Sequence, residues 1–181
     1  MVNIRKSKYK VVKNFFTKEE LKLLQLSCRH QLDKPWVTDA QTSRNITRNV
    51  TPYWYEDSLM TSLLELKLPK VEEEVNLKLF KTYAFWRYYI YGSVLEDHTD
   101  RPSCEISVTS CIHKTGKWPI HMGGKWIELE EGDAVIYLGC EIPHGRKKFK
   151  SDGCAQVFFH YVDQKGPYTQ YRDDTPAKED R

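Results

Sequence analysis

The sequence predicts a mainly β fold preceded by N-terminal helices, and three observations support this fold class. A length of 181 residues suits one domain with its own hydrophobic core. Short β-branched and aromatic segments, separated by turn residues, follow one another closely in the second half of the chain, which is typical of a sandwich or barrel. Capping signals and helical periodicity lie before residue 80.

We expect a single domain spanning residues 1–181 and made of three regions. Residues 1–80 form a helical N-terminal support region, residues 81–165 form the β core, and residues 166–181 form a polar C-terminal tail that packs loosely. Residues 38–51 are polar and aperiodic, and they predict a long surface loop. This loop is either a lid over a site or a connection without a role.

The first long helix is predicted by its capping residues. Thr17 and Glu20 have the spacing of a capping box, in which the Thr17 hydroxyl accepts from the Glu20 amide and the Glu20 carboxylate accepts from the Thr17 amide. We expect a short strand at Tyr9–Val12 and the helix at Lys18–Leu32. The residues expected to share its inward face are Leu21, Leu24 and Cys28.

A second helix is expected to begin after Asp57, whose carboxylate can cap it, and to end near Leu66. Pro69 is expected to break the pattern and to start a short third helix that ends near Val75, because proline cannot donate the intrahelical hydrogen bond. The residues expected to face inward are Leu59, Leu63 and Leu66.

The second half of the chain predicts a series of strands. In the clearest of them, Ile106 and Val108 alternate with Ser107 and Thr109, as in a strand that has two different faces. The predicted strands are residues 85–91, 104–113, 118–122, 125–129, 134–138, 144–149 and 154–162.

The charge pattern does not favour a nucleic-acid partner. The formal net charge is +3, and the 28 Lys and Arg residues are scattered apart from a short basic run at residues 146–150. Because phosphate recognition usually needs a dense basic face, we do not expect nucleic acid to be the main partner.

The sequence predicts a cytoplasmic protein without a membrane span. Residues 1–10 are polar and lack the apolar segment of a signal peptide, and no apolar run approaches the length that crosses a bilayer. The five cysteines are odd in number and include no C-x-x-C pair. This favours free thiols in a reducing cytosol over a disulfide framework or a zinc ribbon.

A candidate metal site is indicated by the histidines. Of the six, only His98 has an acidic residue two positions later, Asp100, and in an extended segment both side chains point to the same side. His144 follows 46 positions after His98, behind an apolar segment and Pro143. Two imidazoles and one carboxylate suit Fe(II) and leave coordination positions open. Taken alone, His98 and Asp100 fit a hydrogen-bonded surface pair equally well.

These residues carry a resemblance to a known family. The run R-Y-Y-I-Y-G-S-V-L-E-D-H-T-D-R at residues 87–101 resembles the Y…G…L…H-x-D segment of the 2-oxoglutarate/Fe(II)-dependent dioxygenases, in their prolyl-4-hydroxylase-like branch. Residues 103–109, the segment G-D-A-V-I-Y at 132–137, the pair Pro143-His144 and residues 156–162 are similar to later strands of that family. The resemblance covers residues 83–165.

The resemblance implies a fold, a metal and a reaction. The fold is a double-stranded β-helix, a relative of the jelly roll. The implied ligands of Fe(II) are His98, Asp100 and His144, with 2-oxoglutarate and O₂ as cosubstrates. The implied reaction is the hydroxylation of a C–H bond, for which the protein orients the reactants and shapes the site.

The cosubstrate site departs from the family pattern. The family binds the distal carboxylate of 2-oxoglutarate with an Arg or Lys about ten residues after the distal histidine, whereas residues 153–156 here contain no cation. We expect Arg146 to replace it, because residue i+2 of a strand points the same way as His144; Lys147 is the second choice. A solvent-facing Arg146 is the alternative. Tyr89 matches the family tyrosine that often hydrogen-bonds the cosubstrate, or is a core aromatic.

The substrate remains open between several classes. The resemblance favours a prolyl residue in a peptide or protein, with a free amino acid or another small metabolite as the alternative. A non-catalytic, cupin-like metal-binding module is the alternative from a different class. The segment Tyr53–Tyr55 is either an aromatic wall for a substrate or part of the core. We expect His160 to be a strand residue and not a metal ligand.

Overall fold

The computed structural model describes residues 4–33, 51–55 and 57–174. The predicted loop at 38–51 lies outside these residues except for Thr51, and so does the end of the predicted tail. Among the described residues, none of the helices has the length and apolar character of a transmembrane helix.

The described parts of the chain contain three α-helices and ten strands. The helices are α1 (Ile4–Ser7), α2 (Lys18–Leu32) and α3 (Ser58–Val75). The strands are β1 (Tyr9–Val12), β2 (Tyr53–Tyr55), β3 (Leu79–Ile90), β4 (Leu95–His98), β5 (Ile106–Lys114), β6 (Ile120–Met122), β7 (Lys125–Ile127), β8 (Ala134–Leu138), β9 (His144–Arg146) and β10 (Gly153–Asp163).

The strands form two antiparallel sheets. The larger has the order β1-β8-β5-β10-β3-β2, and the smaller has the order β4-β9-β6-β7. From β3 onward the chain passes back and forth between the two sheets, which is the winding of a double-stranded β-helix. The predicted mainly β fold with N-terminal helices is therefore confirmed.

Two hydrophobic clusters lie on opposite faces of the larger sheet. The first is between this sheet and the helices, where Trp86 and Phe159 meet Leu24 of α2 and Met60 of α3. The second fills the space between the sheets, with side chains from both. The helices thus cover one face of the larger sheet and leave the other face to pack against the smaller sheet.

The capping signal of α2 is present as predicted. The backbone amide of Glu20 donates to the Thr17 hydroxyl over 3.2 Å, and the Thr17 amide donates to the Glu20 carboxylate over 2.7 Å. The helix has the predicted bounds, Lys18–Leu32. Of its predicted inward face, Leu24 and Cys28 are buried.

The prediction of two helices separated at Pro69 is wrong, because α3 is continuous through that residue. Its buried residues continue past the proline at helical spacing, so packing against the sheet outweighs the cost of one missing hydrogen bond. Leu66 was expected to face inward, and it is 62% exposed. The buried side of the helix is formed by Met60, Leu63, Leu64, Lys67, Val71 and Val75.

Several strands differ from their predicted extents. β3 begins six residues earlier than predicted, at Leu79, and β9 ends at Arg146. β5 begins only at Ile106, because the preceding Pro102–Cys104 forms a turn of 3-10 helix. β2 and β4 were not predicted as strands, since both are short and gain their hydrogen bonds only from distant partners.

Candidate metal centre

Strand pairing brings the two candidate histidines together. β4 and β9 are antiparallel neighbours in the smaller sheet, and His98 lies directly opposite His144. Side chains of opposed residues in such a pair are close neighbours on the same face. The sheet register therefore brings together two histidines that are far apart in the sequence.

The three predicted ligands surround one point. The Nε2 atoms of His98 and His144 each lie 3.4 Å from Oδ1 of Asp100. The two imidazole centroids are 4.4 Å apart, and the three potential ligand atoms all lie within 4.8 Å of one another. This donor set, two imidazole nitrogens and one carboxylate oxygen, is the facial set that holds non-haem Fe(II).

The opposite nitrogen of each imidazole fixes the orientation of the ring. Nδ1 of His98 is 2.8 Å from the carbonyl oxygen of Glu96, and Nδ1 of His144 is 2.9 Å from that of Ile142. Because a carbonyl can only accept, both Nδ1 atoms carry the proton and both Nε2 lone pairs face Asp100. The residues therefore fit a divalent metal ion.

Asp100 is held so that one oxygen faces the histidines. Its amide donates to the carbonyl oxygen of Gly139 over 2.8 Å, and the hydroxyl of Ser107 donates to its Oδ2 over 3.0 Å. Burial raises the pKa of this carboxyl group, but the adjacent side chains of His144 and His98 outweigh burial and leave it below its usual value. The group is therefore an ionised carboxylate at neutral pH.

Gly139 provides the space in which Asp100 sits. A Cβ atom at this position would lie 2.3 Å from the carbonyl oxygen of Cys104 and 2.4 Å from Asp100 Oδ2. Both distances are far below van der Waals contact, so a side chain here would displace the carboxylate.

A second group of potential ligands shares Asp100 with Cys104 and His160. Burial raises the pKa of the Cys104 thiol well above its usual value, so this sulfur stays protonated and is a poor metal ligand. The group of His98, Asp100 and His144 is therefore the better candidate.

A cavity of about 360 Å³ opens beside the three predicted ligands and is lined from both sheets. This volume lies within the range of small-molecule sites. Its wall is aromatic on one side, formed by Tyr55, Tyr83, Phe85 and Phe158, and positively charged elsewhere, through Arg87, Arg101 and Arg146.

Arg146 lies in the cavity wall, two residues beyond His144 on β9, as the strand geometry predicted. It is 4% exposed, so the alternative of a solvent-facing arginine is wrong. One guanidinium nitrogen donates to the carbonyl oxygen of Trp118, and the other lies 3.3 Å from Oε1 of Gln156. The side chain therefore reaches from the smaller sheet to the last strand of the larger sheet.

The second choice for the anchor, Lys147, does not lie in the cavity wall. It is exposed, and its ammonium is 5.1 Å from the ring of Trp126. The reason is geometric, because successive side chains of a strand point to opposite faces, and Arg146 already takes the inward direction.

The sequence left open whether Tyr89 faces the cosubstrate site or is a core aromatic, and its position is compatible with both. It lines the cavity, and its ring also packs in the core at 4.7 Å from Trp118. Burial raises the pKa of the phenol, while the positive charges of Arg87 and Arg146 counteract this. The phenol is therefore a neutral hydrogen-bond donor.

Arg87 is a cavity residue that was not predicted, whereas Tyr55 matches the predicted alternative of an aromatic wall. Arg87 precedes Tyr89 by two positions on β3, and the same alternation that relates Arg146 to His144 would have placed it on the cavity side. Tyr55 lines the cavity, whereas its neighbour Trp54 stacks on Trp86 at 4.1 Å on the helical side of the sheet.

His160 is a strand residue, as expected, but its position in the cavity wall was not predicted. Its Nδ1 lies 2.9 Å from the Ser107 hydroxyl, and its ring packs against Tyr83. Burial lowers the pKa of His160 to about 4, so the imidazole is neutral at physiological pH.

Comparisons with known proteins define the fold class. No family model matches the chain, and no curated protein is similar to it in sequence. A prolyl-4-hydroxylase from Pseudomonas putida has a TM-score of 0.66 at 14% identity, covering 88% of this chain and 94% of that chain. A prolyl hydroxylase from Trichoplax adhaerens, in complex with a hypoxia inducible factor peptide, has a TM-score of 0.65 at 14% identity and covers 90% and 86%.

A third structure contains ligands. HygX from Streptomyces hygroscopicus, with nickel, 2-oxoglutarate and hygromycin B bound, has a TM-score of 0.65 at 12% identity, covering 89% of this chain and 85% of that chain. At these identities the likeness establishes the fold. The predicted double-stranded β-helix, as found in prolyl hydroxylases, is therefore confirmed.

Proposed function

We propose that this chain is an Fe(II)- and 2-oxoglutarate-dependent oxygenase that hydroxylates a C–H bond. The observation that carries the proposal is the convergence of His98 Nε2, His144 Nε2 and Asp100 Oδ1 at one point beside a cavity. Structures with this fold include prolyl hydroxylases and a protein that binds nickel and 2-oxoglutarate, which supports the same chemistry here.

Fe(II), when bound, supplies the redox chemistry that couples decarboxylation of 2-oxoglutarate to oxidation of the substrate by O₂. The chain contributes the binding and the shape of the site. Three protein ligands on one side leave room on the other side for the cosubstrates. The aromatic wall, with Tyr83, Phe85 and Phe158, excludes water from the place where a substrate would lie.

Arg146 is our proposed anchor for the distal carboxylate of 2-oxoglutarate. A guanidinium group matches a carboxylate through two parallel hydrogen bonds. The contact with Gln156 directs this cation toward the part of β10 where the family usually carries its own cation. Tyr89 lines the same cavity and is our proposed hydrogen-bond donor to this cosubstrate.

For the substrate, we propose a prolyl residue of a peptide or protein. The prolyl hydroxylases named above have this fold, and one of them was solved with a peptide. The competing proposal is a small molecule, supported by the neighbour that binds hygromycin B. We also propose a cytoplasmic location, in keeping with five cysteines that are all free thiols in the structure.

The test is succinate formation from 2-oxoglutarate by protein reconstituted with Fe(II) in air, with and without candidate prolyl peptides and free amino acids. The expected result is succinate from the wild type and a mass gain of one oxygen on a substrate. Asp100→Ala and His144→Ala each remove a metal ligand and should abolish succinate formation and weaken Fe(II) binding by about a hundredfold or more. Asp152→Ala, at an exposed turn, is the matched control.

A cupin-like module without turnover makes a different prediction for the same assay. It would bind the metal with the same three residues and produce no succinate under any condition. That outcome, with metal binding intact, would contradict the proposed enzymatic function.

A further inference from the structure

The cavity wall contains a buried polar atom that the candidate metal centre does not use. His160 lies on β10, is 3% exposed and lines the cavity. Its ring lies between two aromatic side chains, with centroid distances of 4.7 Å to Tyr83 and 5.8 Å to Phe85. Its Nε2 atom is buried and has no hydrogen-bond partner among the described residues.

The hydrogen bonds of Ser107 fix the proton on the other nitrogen of this ring. Besides His160, the Ser107 hydroxyl is 3.0 Å from Oδ2 of Asp100 and 3.0 Å from the carbonyl oxygen of Cys104. Both of these groups can only accept, so the hydroxyl gives its single proton to one of them. Its oxygen then accepts from Nδ1 of His160, 2.9 Å away. A neutral ring protonated at Nδ1 has a bare lone pair on Nε2.

Three of the four Asp and Arg side chains that line this cavity are donors. The guanidinium groups of Arg87, Arg101 and Arg146 line the same cavity, and the carboxylate of Asp100 already faces the two histidines of the candidate metal centre. An acceptor that is buried without a partner is unfavourable, which favours a ligand that brings a donor to it.

We propose that His160 is a specificity-determining residue, whose Nε2 accepts a hydrogen bond from an N–H group of an amino-acid or peptide substrate. This inference rests on the proposed function and adds a requirement to it. The nitrogen of a prolyl residue inside a peptide carries no hydrogen. The donor is therefore either the amide of a neighbouring residue in a peptide or the ammonium of a free amino acid.

Two substitutions test the roles of the two ring nitrogens of His160 one at a time. In His160→Asn, the side-chain amide nitrogen takes the place of Nδ1 and keeps the bond to Ser107, but nothing replaces Nε2. In His160→Gln, the longer side chain places an amide oxygen near the position of Nε2 and loses the bond to Ser107. A purely structural role of His160 predicts that the glutamine variant is the more damaged one, because it breaks the existing bond.

The experiment uses the full chain loaded with Zn(II) and 2-oxoglutarate, so that binding is measured without turnover. The probes are free L-proline and the capped peptide acetyl-Ala-Pro-Ala-amide, which distinguish the ammonium donor from the amide donor. Binding is followed by calorimetry, and the protonation of His160 by ¹⁵N NMR of its ring nitrogens. Phe80→Leu, outside the cavity wall, is the control variant.

We expect the free wild type to show an unprotonated Nε2 and a protonated Nδ1, and one probe to shift the Nε2 resonance. For that probe, His160→Asn should raise the dissociation constant about tenfold or more, and His160→Gln by about threefold at most. A proton on Nε2 in the free protein would overturn the proposal, and so would an Nε2 resonance that neither probe moves. Equal affinities of the asparagine variant and the wild type would also overturn it.

Failure of the His160 proposal can be distinguished from failure of the proposed oxygenase function. Absence of succinate in the turnover assay would contradict the oxygenase proposal while the zinc-loaded measurements still report on His160. If His160→Asn does not fold, as judged by circular dichroism, the NMR measurement on the wild type still decides the proton position and the response to both probes.

Discussion

At the scale of single residues, several contacts fix the position of Asp100. One carboxylate oxygen faces both imidazoles, and the other accepts a hydrogen bond from the Ser107 hydroxyl. The backbone amide donates a hydrogen bond to the carbonyl oxygen of Gly139. Each of these contacts restricts the carboxylate to one orientation. Positions around Asp100 should therefore influence metal binding even though they provide no ligand themselves.

Gly139→Ala tests this restriction. The added methyl group would overlap the carbonyl oxygen of Cys104 and Asp100 Oδ2, so we expect metal affinity to fall about tenfold or more and stability to fall by about 1–3 kcal/mol. Gly124→Ala is the control, since its Cβ would meet nothing within 4 Å and its cost comes only from a φ of +81°. Titration with Co(II) measures the affinity, and an unchanged affinity in the Gly139 variant would contradict the expectation.

Arg146→Ala tests the proposed carboxylate anchor. Loss of the guanidinium should raise the KM for 2-oxoglutarate about tenfold or more, with a much smaller effect on Fe(II) affinity. Lys147→Ala is a matched control, because this neighbour is also basic and points away from the cavity. Steady-state kinetics at varied 2-oxoglutarate measure both. If only Arg87→Ala raises the KM, the anchor is Arg87.

At the scale of elements, α3 shows how packing overrides a local signal. Pro69 removes one hydrogen-bond donor, yet the helix continues from Ser58 to Val75 because its buried side faces the larger sheet along its length. The register of that buried side is set by the sheet, which places Leu64 inward and Leu66 outward.

A pair of substitutions in α3 measures this register. Leu64 is 1% exposed and Leu66 is 62% exposed. Leu64→Ala should lower the free energy of unfolding by about 2–5 kcal/mol, since it leaves a cavity in the core. Leu66→Ala should change it by about 0.5 kcal/mol or less. Urea unfolding gives both values, and similar losses in the two variants would mean that the helix is rotated from the described position.

At the scale of the whole molecule, Asp133 links the N-terminal segment to the β core. Its carboxylate accepts from the Lys13 ammonium over 2.6 Å, from the Asn14 amide over 3.1 Å and from the Glu130 amide over 3.1 Å. Burial raises its pKa, but these hydrogen bonds outweigh burial, and the pKa is lowered overall. The group therefore stabilises the fold in its ionised form.

The stabilisation by Asp133 should depend on pH in a defined direction. Since the folded pKa lies below the unfolded value of about 3.9, the contribution is complete above that pH and is lost as the pH falls through the folded pKa. Asp133→Asn should cost about 1–3 kcal/mol at pH 7, and the difference from the wild type should shrink toward pH 3. Urea unfolding at both pH values tests this, with Asp152→Asn as an exposed control. A difference that does not change with pH would rule out the ionised contacts as its cause.

The parts of the fold that the sequence predicts well are those specified by neighbouring residues. The bounds of α2 follow from Thr17 and Glu20, which cap it directly, and β8 follows from one continuous apolar segment. In the candidate site, His98 and Asp100 share a side because of their spacing, and Arg146 shares a side with His144 for the same reason. These relations extend over a few residues of backbone geometry, so they are visible without the fold.

What the tertiary structure alone decides are the relations between distant segments. The pairing of β4 with β9 places His98 opposite His144. The pairing of β3 with β10 in the larger sheet brings His160 to the cavity that Arg87 and Tyr89 line. The continuity of α3 across Pro69 and the short strand β2 likewise depend on surfaces supplied by other parts of the chain. The physical reason is that burial and strand pairing depend on partners that are remote in sequence, whereas capping and alternation depend on the nearest neighbours.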